Sequence, residues 1–229
     1  MTSIPDALDW RQYGIVTSVK NQRSCGSCWS FSTTGAVESH WALKNGNPPP
    51  ILSEQQLIDC AQDFNNFGCK GGLPSQAFEY IFYNGGLESE KDYPYMAATR
   101  NCTFDASKVS AKLEGQYNIT FQDENELLYK LANEGPISIA YQVNNDFFQY
   151  RSGVYSSPSC SQQPSDVNHA VLAVGYGVSI SGQLYYIVKN SWGPEWGING
   201  YFLIERGTNM CGLADCASYP IVQKKQQEN

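Results

Sequence analysis

The stretch KNQRSCGSCWSF, residues 20–31, sets Cys25 and Cys28 three positions apart at the threshold of a segment with helical character. Two cysteines at that spacing fit a dithiol redox pair, half of a zinc site, or two thiols with unrelated tasks. From Ser27 to about Lys44 there is no proline. The run starts at a serine suited to an N-cap and ends at Asn45-Gly46 ahead of Pro48-Pro49-Pro50, which predicts a helix with a firm stop. Cys28 then stands at or near a helix N-terminus, where unpaired backbone N–H groups and the macrodipole favour a thiolate. A thioredoxin-like dithiol would carry a tryptophan ahead of its first cysteine within an early βαβ unit; here Trp29 follows the second cysteine and no such unit precedes it. Zinc lacks a second pair of ligands at structural-site spacing.

Composition narrows the field further. A chain of 229 residues with 41% hydrophobic and 16% charged residues can build one large core or two modest ones. A net charge of -7, with no basic run longer than Lys224-Lys225, leaves no electrostatic footprint for nucleic acid or an anionic membrane. No window approaches the roughly 18 apolar residues of a membrane span, and the N-terminus lacks the order of a signal peptide. Eight cysteines beside two histidines favour disulfides over metal. The sequons Asn101-Cys102-Thr103 and Asn118-Ile119-Thr120 make Asn101 and Asn118 candidate glycosylation sites and point to an oxidising, secretory route. On that route a leader and a pro-segment are expected to have been removed.

Along the chain, Ser53 with Gln56 predicts a capping box, and Leu52 with Leu57 a hydrophobic staple, for a helix reaching about Cys60. A third helix is expected from about Ser75 to Tyr83. A short fourth starts at Asp123 and closes at Gly135-Pro136. From there the hydrophobic period becomes two: PISIAYQV, HAVLAVGYGV, QLYYIVKN and GYFLIERG read as strands. A helical first half packed directly on a β second half would leave a cleft at the junction.

A thiol nucleophile needs a base within hydrogen-bond reach. His40 lies twelve residues beyond Cys28 on the same helix, about 18 Å away at 1.5 Å per residue. It is excluded, and is expected on the helix surface. His169 opens one strand and Asn190 closes the next, across the turn SISG. A hairpin centred near residue 180 sets the two opposite each other to within a residue or two. An amide beside an imidazole can accept one ring N–H, fix the tautomer and leave the other nitrogen to face a thiol. Without further company, the pair could equally be two polar residues ending a hairpin. Gln22, six residues before Cys28, could supply an oxyanion donor beside the Cys28 backbone N–H.

Taken together, these residues resemble the papain-like cysteine peptidases. CGSCW at 25–29 matches the signature of that family, in which the histidine and asparagine follow roughly 130 to 150 residues on; here they follow 141 and 162 residues after Cys28. Gln22 in KNQRSCGSCW, His169 in VNHAVLAVGYG, Asn190 in VKNSWGPEWGINGYF and the glycines of GCKGGLP extend the likeness from Asp9-Trp10 to Tyr219-Pro220. The resemblance implies an α+β papain-like fold of two lobes, a helical left lobe and an antiparallel β-barrel-like right lobe, with the active-site cleft between them. It sets the helical lobe at 13–115 and the β lobe at 116–229, with residues 1–12 packed on the latter. Cys28 resembles the nucleophile, His169 the base, Asn190 the orienting amide and Gln22 the oxyanion donor. Gly71, Gly72, Asn168 and Trp192 resemble substrate-site residues, Trp192 also shielding the His169–Asn190 bond. Arg23 departs from the family, which carries glycine after the oxyanion glutamine; if that position needs a positive φ, Arg23 is strained.

Seven other cysteines cannot all pair within the chain, and spacing does not give the pairing. The resemblance implies Cys25–Cys69, Cys60–Cys102 and Cys160–Cys211, leaving Cys216 as either a buried free thiol or an attachment point. The segments around Cys60–Cys69, Cys160 and Cys211–Cys216 are most similar to the cathepsin H and aleurain branch, where the corresponding cysteine tethers a propeptide-derived mini-chain in the cleft. That likeness implies an aminopeptidase with the mini-chain bound at Cys216 and endopeptidase behaviour without it. The alternatives are an ordinary endopeptidase with Cys216 free, and a catalytically silent binding or storage homologue. The family also implies peptide substrates, cystatin-type inhibitors, a monomer, no metal or other cofactor, and a lysosome or vacuole as the destination.

Overall fold

Helix α1, Cys28–Asn45, runs through the middle of the computed structural model, which describes residues 4–225. Its buried residues include Trp29, Ala36, Val37 and Ala42 but also Ser30, Ser32, Thr33, Glu38, Ser39 and His40, so it has no solvent stripe. A helix covered on every side must satisfy its polar side chains internally. Ser30 Oγ donates to Ser27 O at 2.8 Å, Thr33 Oγ1 to Trp29 O at 2.7 Å, and Ser32 Oγ to Val171 O at 2.7 Å. The helix stops at Gly46, φ 95°, whose N–H returns to Ala42 O at 2.8 Å.

Beside it lie α2 (Glu54–Cys60) and α3 (Pro74–Asn84), and α4 (Glu124–Asn133) comes later in the chain. Ser53 Oγ caps α2 by accepting from Gln56 N at 3.0 Å, but the expected capping box is only half formed. The Gln56 amide donates instead to Tyr80 OH and Gly86 O and accepts from Glu88 N. A buried glutamine has four bonding positions to fill, and these partners fill more of them than one backbone N–H would.

The strands are β1 (Leu8–Asp9), β2 (Leu87–Glu88), β3 (Val109–Ala111), β4 (Leu113–Asn118), β5 (Ile137–Tyr141), β6 (Val154–Tyr155), β7 (His169–Val178), β8 (Leu184–Lys189), β9 (Tyr201–Glu205) and β10 (Ser218–Val222). Eight form one sheet in the order β4-β10-β5-β7-β8-β9-β6, with β1 attached to β7; β2 and β3 pair separately. Every pairing in the large sheet is antiparallel except β6 with β9.

The long strand β7 is buried over its first nine residues because both faces are covered. Ala170, Leu172 and Val174 face a core shared with Trp29, Leu52, Ile58 and Phe78 of the helical lobe. Val171, Ala173 and, past a register shift, Tyr176 face a second core with Ile139, Tyr141, Phe147 and Phe202. This period-two division builds the two lobes of the α+β fold around one shared wall. Leu8 and Asp9 pair with Tyr176 and Gly175, setting the N-terminal segment on the sheet, and β4 enters it at Leu113, ahead of the expected boundary at 116.

His40 corrects the reading of a surface histidine. The loop before β5 and strand β10 cover that face of α1, so His40 is 8% exposed. Its Nε2 donates to Pro136 O at 2.8 Å and its ring stacks on Tyr219 at 5.5 Å between centroids. Three disulfides join Cys25 to Cys69, Cys60 to Cys102 and Cys160 to Cys211, leaving Cys28 and Cys216 as free thiols among the described residues.

Candidate active site

A cleft of about 650 Å³ is lined by Gln22, Cys28, Gly71, Gly72, Asn168, His169 and Trp192 together with neighbours from both lobes. Asn190 stands behind this wall, 3% exposed. Residues from four separated stretches of chain are thus assembled at one place.

Cys28 is the first residue of α1, and its Sγ accepts from Ala170 N at 3.5 Å, which sets the thiol against the start of β7 beside His169. Asn190 Oδ1 meets His169 Nε2 at 2.8 Å and also accepts from Ser191 N at 2.8 Å. The second contact fixes the amide orientation, because a backbone N–H can only face the oxygen. His169 Nε2 must then carry the proton, leaving the Nδ1 lone pair free. Burial pushes the Cys28 thiol upward, opposed by the N–H groups of Ala170, Trp29 and Cys28 itself. Burial also pushes His169 down to about 4, opposed by its bond to Asn190.

Gln22 is held at both ends. Its Oε1 accepts from Ser191 Oγ at 2.7 Å and one amide N–H goes to Cys25 O at 3.0 Å, so the second N–H is the one available to the cleft. Its backbone N–H bonds Ser191 O at 2.8 Å, and its carbonyl accepts from Tyr95 OH at 2.7 Å. Arg23 follows with φ 54°, the left-handed region that favours glycine, so the departure from the family residue carries strain. The Arg23 N–H donates to Asn21 Oδ1 at 2.8 Å.

On the opposite rim Gly71 has φ 115°, and a side chain at Gly72 would collide with Asn66 Oδ1 at 2.3 Å and the Trp29 ring at 2.7 Å. Both positions therefore exclude a β-carbon and leave bare backbone along the cleft. The Trp192 ring lies 4.8 Å from the His169 ring and stacks on Phe148 at 5.3 Å. Asn168 lines the cleft, but its amide is spent on Val143, accepting from N at 2.7 Å and donating to O at 3.2 Å. Cys216 is half-buried and packs against the core that also borders Cys28 and Val167. Asn101 and Asn118 are both exposed.

Two supporting residues escaped the sequence reading. Ser191 fixes Gln22 and Asn190 at once, and its only signal is adjacency to Asn190. Tyr95 bonds Gln22 O and, at 2.8 Å, Ser27 Oγ from more than sixty residues away, a contact with no local trace in sequence.

The comparisons with known proteins agree with this geometry. The family model described as "Papain family cysteine protease" matches residues 4–221. Pro-cathepsin H of Mus musculus is 59% identical over 220 residues, covering 96% of this chain and 66% of the relative. The thiol protease aleurain-like of Arabidopsis thaliana is 54% identical over 222 residues, covering 96% and 61%. The chain thus spans just under two thirds of the length of these relatives. Among solved structures, digestive procathepsin L2 proteinase from Tenebrio molitor larval midgut superposes with a TM-score of 0.91 at 44% identity, covering 96% of this chain and 69% of that one. With a catalytic-type cleft assembled from its own residues and relatives of this identity, the chain belongs to the papain family of cysteine proteases.

Proposed function

We propose that the protein hydrolyses peptide bonds, with Cys28 as nucleophile, His169 as base and then acid, and Asn190 and Gln22 as orienting amide and oxyanion donor. The observation that carries this reading is the 2.8 Å bond from His169 Nε2 to Asn190 Oδ1 beside the Cys28 thiol. Burial disfavours a lone thiolate and a lone imidazolium alike, so the charges form together, by proton transfer from Sγ to Nδ1. The thiolate attacks the substrate carbonyl, and the oxyanion is held by the second Gln22 N–H and the Cys28 backbone N–H. His169 returns the proton to the leaving amine, and water then cleaves the thioester. The rate of Cys28 alkylation against pH tests the pair. A plateau extending well below the ordinary thiol value near 8.5 supports it, whereas a single rise centred above 8 contradicts it.

The finer reading is a cathepsin H-like aminopeptidase. Cys216, unpaired and half-buried, supports a tether for a propeptide-derived mini-chain whose terminal carboxylate would meet the substrate ammonium. Without the mini-chain the cleft accepts chain on both sides and the enzyme acts as an endopeptidase. A non-reduced sample from the native source should release a peptide on reduction and should cleave free N-terminal substrates in preference to N-blocked ones. Equal cleavage of both with the mini-chain attached would defeat the aminopeptidase reading. The two-lobe boundaries near residue 115, glycosylation at Asn101 and Asn118, lysosomal or vacuolar residence, a monomeric state and inhibition by cystatin-type proteins belong to the same proposal.

A further inference from the structure

The cleft is nearly uncharged. Apart from the Cys28–His169 pair, Lys70 is its one charged lining side chain, and no Asp or Glu faces it, in a chain whose net charge is -7. Lys70 is also rigidly placed. Gly26 N bonds Cys69 O at 2.9 Å, Gly26 and Lys70 form a parallel bridge, and Cys25–Cys69 joins the two segments covalently. A β-carbon at Gly26 would meet Cys69 O at 2.4 Å, so the backbones approach as closely as a glycine permits. Two residues beyond Gly26 is Cys28, and directly after Lys70 is Gly71. Lys70 therefore stands between the nucleophile and the bare backbone rim. Its ammonium has no carboxylate or carbonyl partner among the described residues, and its side chain is exposed.

We infer that Lys70 sets substrate preference, favouring peptides with an acidic side chain at the residue whose carbonyl is attacked. The inference rests on the peptidase reading. A substrate laid along Gly71–Gly72 with its carbonyl carbon at Cys28 Sγ brings that residue's side chain against the Gly26–Lys70 wall. A carboxylate there gains an unpaired ammonium as partner, whereas a lysine or arginine meets a like charge with no acidic group in the cleft to offset it. Arg23, exposed and directly after Gln22, has the same sign.

The test uses three fluorogenic peptides that differ only at this residue, as Glu, Gln or Lys. They are assayed at pH 6, where the substrate carboxylate is ionised, with the wild type and Lys70→Glu. The wild type should show a Glu-to-Lys ratio of kcat/KM of about three- to tenfold, the range that one exposed attraction and one exposed repulsion supply together. The ratio should shrink toward unity in about 0.5 M salt through screening and invert in Lys70→Glu. The same ratio in both proteins, or a wild-type preference for Lys, overturns the assignment. Absence of turnover of the Gln peptide by the wild type overturns the peptidase reading itself and this inference with it.

Discussion

At the scale of single residues, two histidines share one electrostatic displacement and differ in what they face. His169 and His40 are both buried and both pushed down to about 4. His169 opens onto the cleft with a free Nδ1, and its one side-chain hydrogen bond among the described residues is to Asn190. Asn190→Ala should lower kcat by about 10²-fold with little change in KM, because the lost bond orients a base and binds no substrate; steady-state kinetics check it. His40 is sealed against Pro136 O and Tyr219. Its folded pKa lies below the unfolded value near 6.5, so the neutral ring stabilises the fold. That stability is complete above about 6.5 and is lost as pH falls through 4, up to about 3 kcal/mol. In His40→Gln, whose amide can still donate to Pro136 O, this loss should vanish. Urea unfolding of both proteins at pH 7 and pH 4 measures the difference.

At the scale of elements, α1 holds the two lobes together through charge as well as apolar packing. Glu38 accepts from Thr17 Oγ1 at 2.5 Å, Lys20 Nζ at 3.0 Å and Leu52 N at 2.9 Å, and Lys189 on β8 reaches the group by donating to Thr17 Oγ1 at 2.9 Å. Burial pushes Lys189 down to about 8, with Glu38 opposing. Glu38→Gln would leave Lys20 with Glu54 alone, at 2.6 Å, and Lys189 without its main opposing charge in the interior, at a cost of about 3 kcal/mol in the unfolding free energy read from urea titration. The sequence made α1, β7 and β8 legible because their signals are local: a proline-free run ended by Asn45-Gly46, and apolar runs bounded by Gly and Ser turns. It concealed β10, where Pro220 argues against a strand. β10 meets β5 only at Ser218, so beyond that residue it has a free edge on which proline is tolerated. The residues that the fold gathers at the cleft, Cys28, His169, Asn190 and Gln22, were readable from their types and separations. Ser191, Tyr95 and the burial of His40 were not, because each depends on partners that only the folded chain brings together.

At the scale of the whole molecule, the pH response is a balance between groups with opposite signs. The backbone pairing of Leu52 with Ser89 and the bond from Glu90 N to Ile51 O at 2.9 Å bring Glu90 beside Glu54. Glu90 Oε1 accepts from Tyr95 N at 2.9 Å, while its Oε2 is buried without a partner among the described residues. Burial first, and the Glu54 carboxylate second, push Glu90 up to about 7, with Tyr95 N–H and Lys20 opposing. A carboxyl whose folded pKa lies above its unfolded value near 4.3 favours the fold when protonated. Its contribution is complete below about 4.3 and is lost as pH rises through 7. The histidines weaken the fold as pH falls from about 6.5 toward 4 and Glu90 weakens it as pH rises from about 4.3 toward 7, so the two effects oppose each other over the same mildly acidic range. Glu90→Gln mimics the protonated carboxyl and keeps an acceptor for Tyr95 N. Its Tm advantage over the wild type should therefore widen from pH 5 to about pH 7 and level off by pH 8 in thermal melts, whereas a constant offset across that range would mean that Glu90 is already ionised in the folded protein at pH 5. The same carboxyl reaches the catalytic loop through Tyr95, whose hydroxyl holds Gln22 O and Ser27 Oγ. Ionisation of Glu90 thus bears on one of the contacts that hold Gln22, the proposed oxyanion donor, and kcat/KM in Glu90→Gln should fall less between pH 6 and pH 8 than in the wild type.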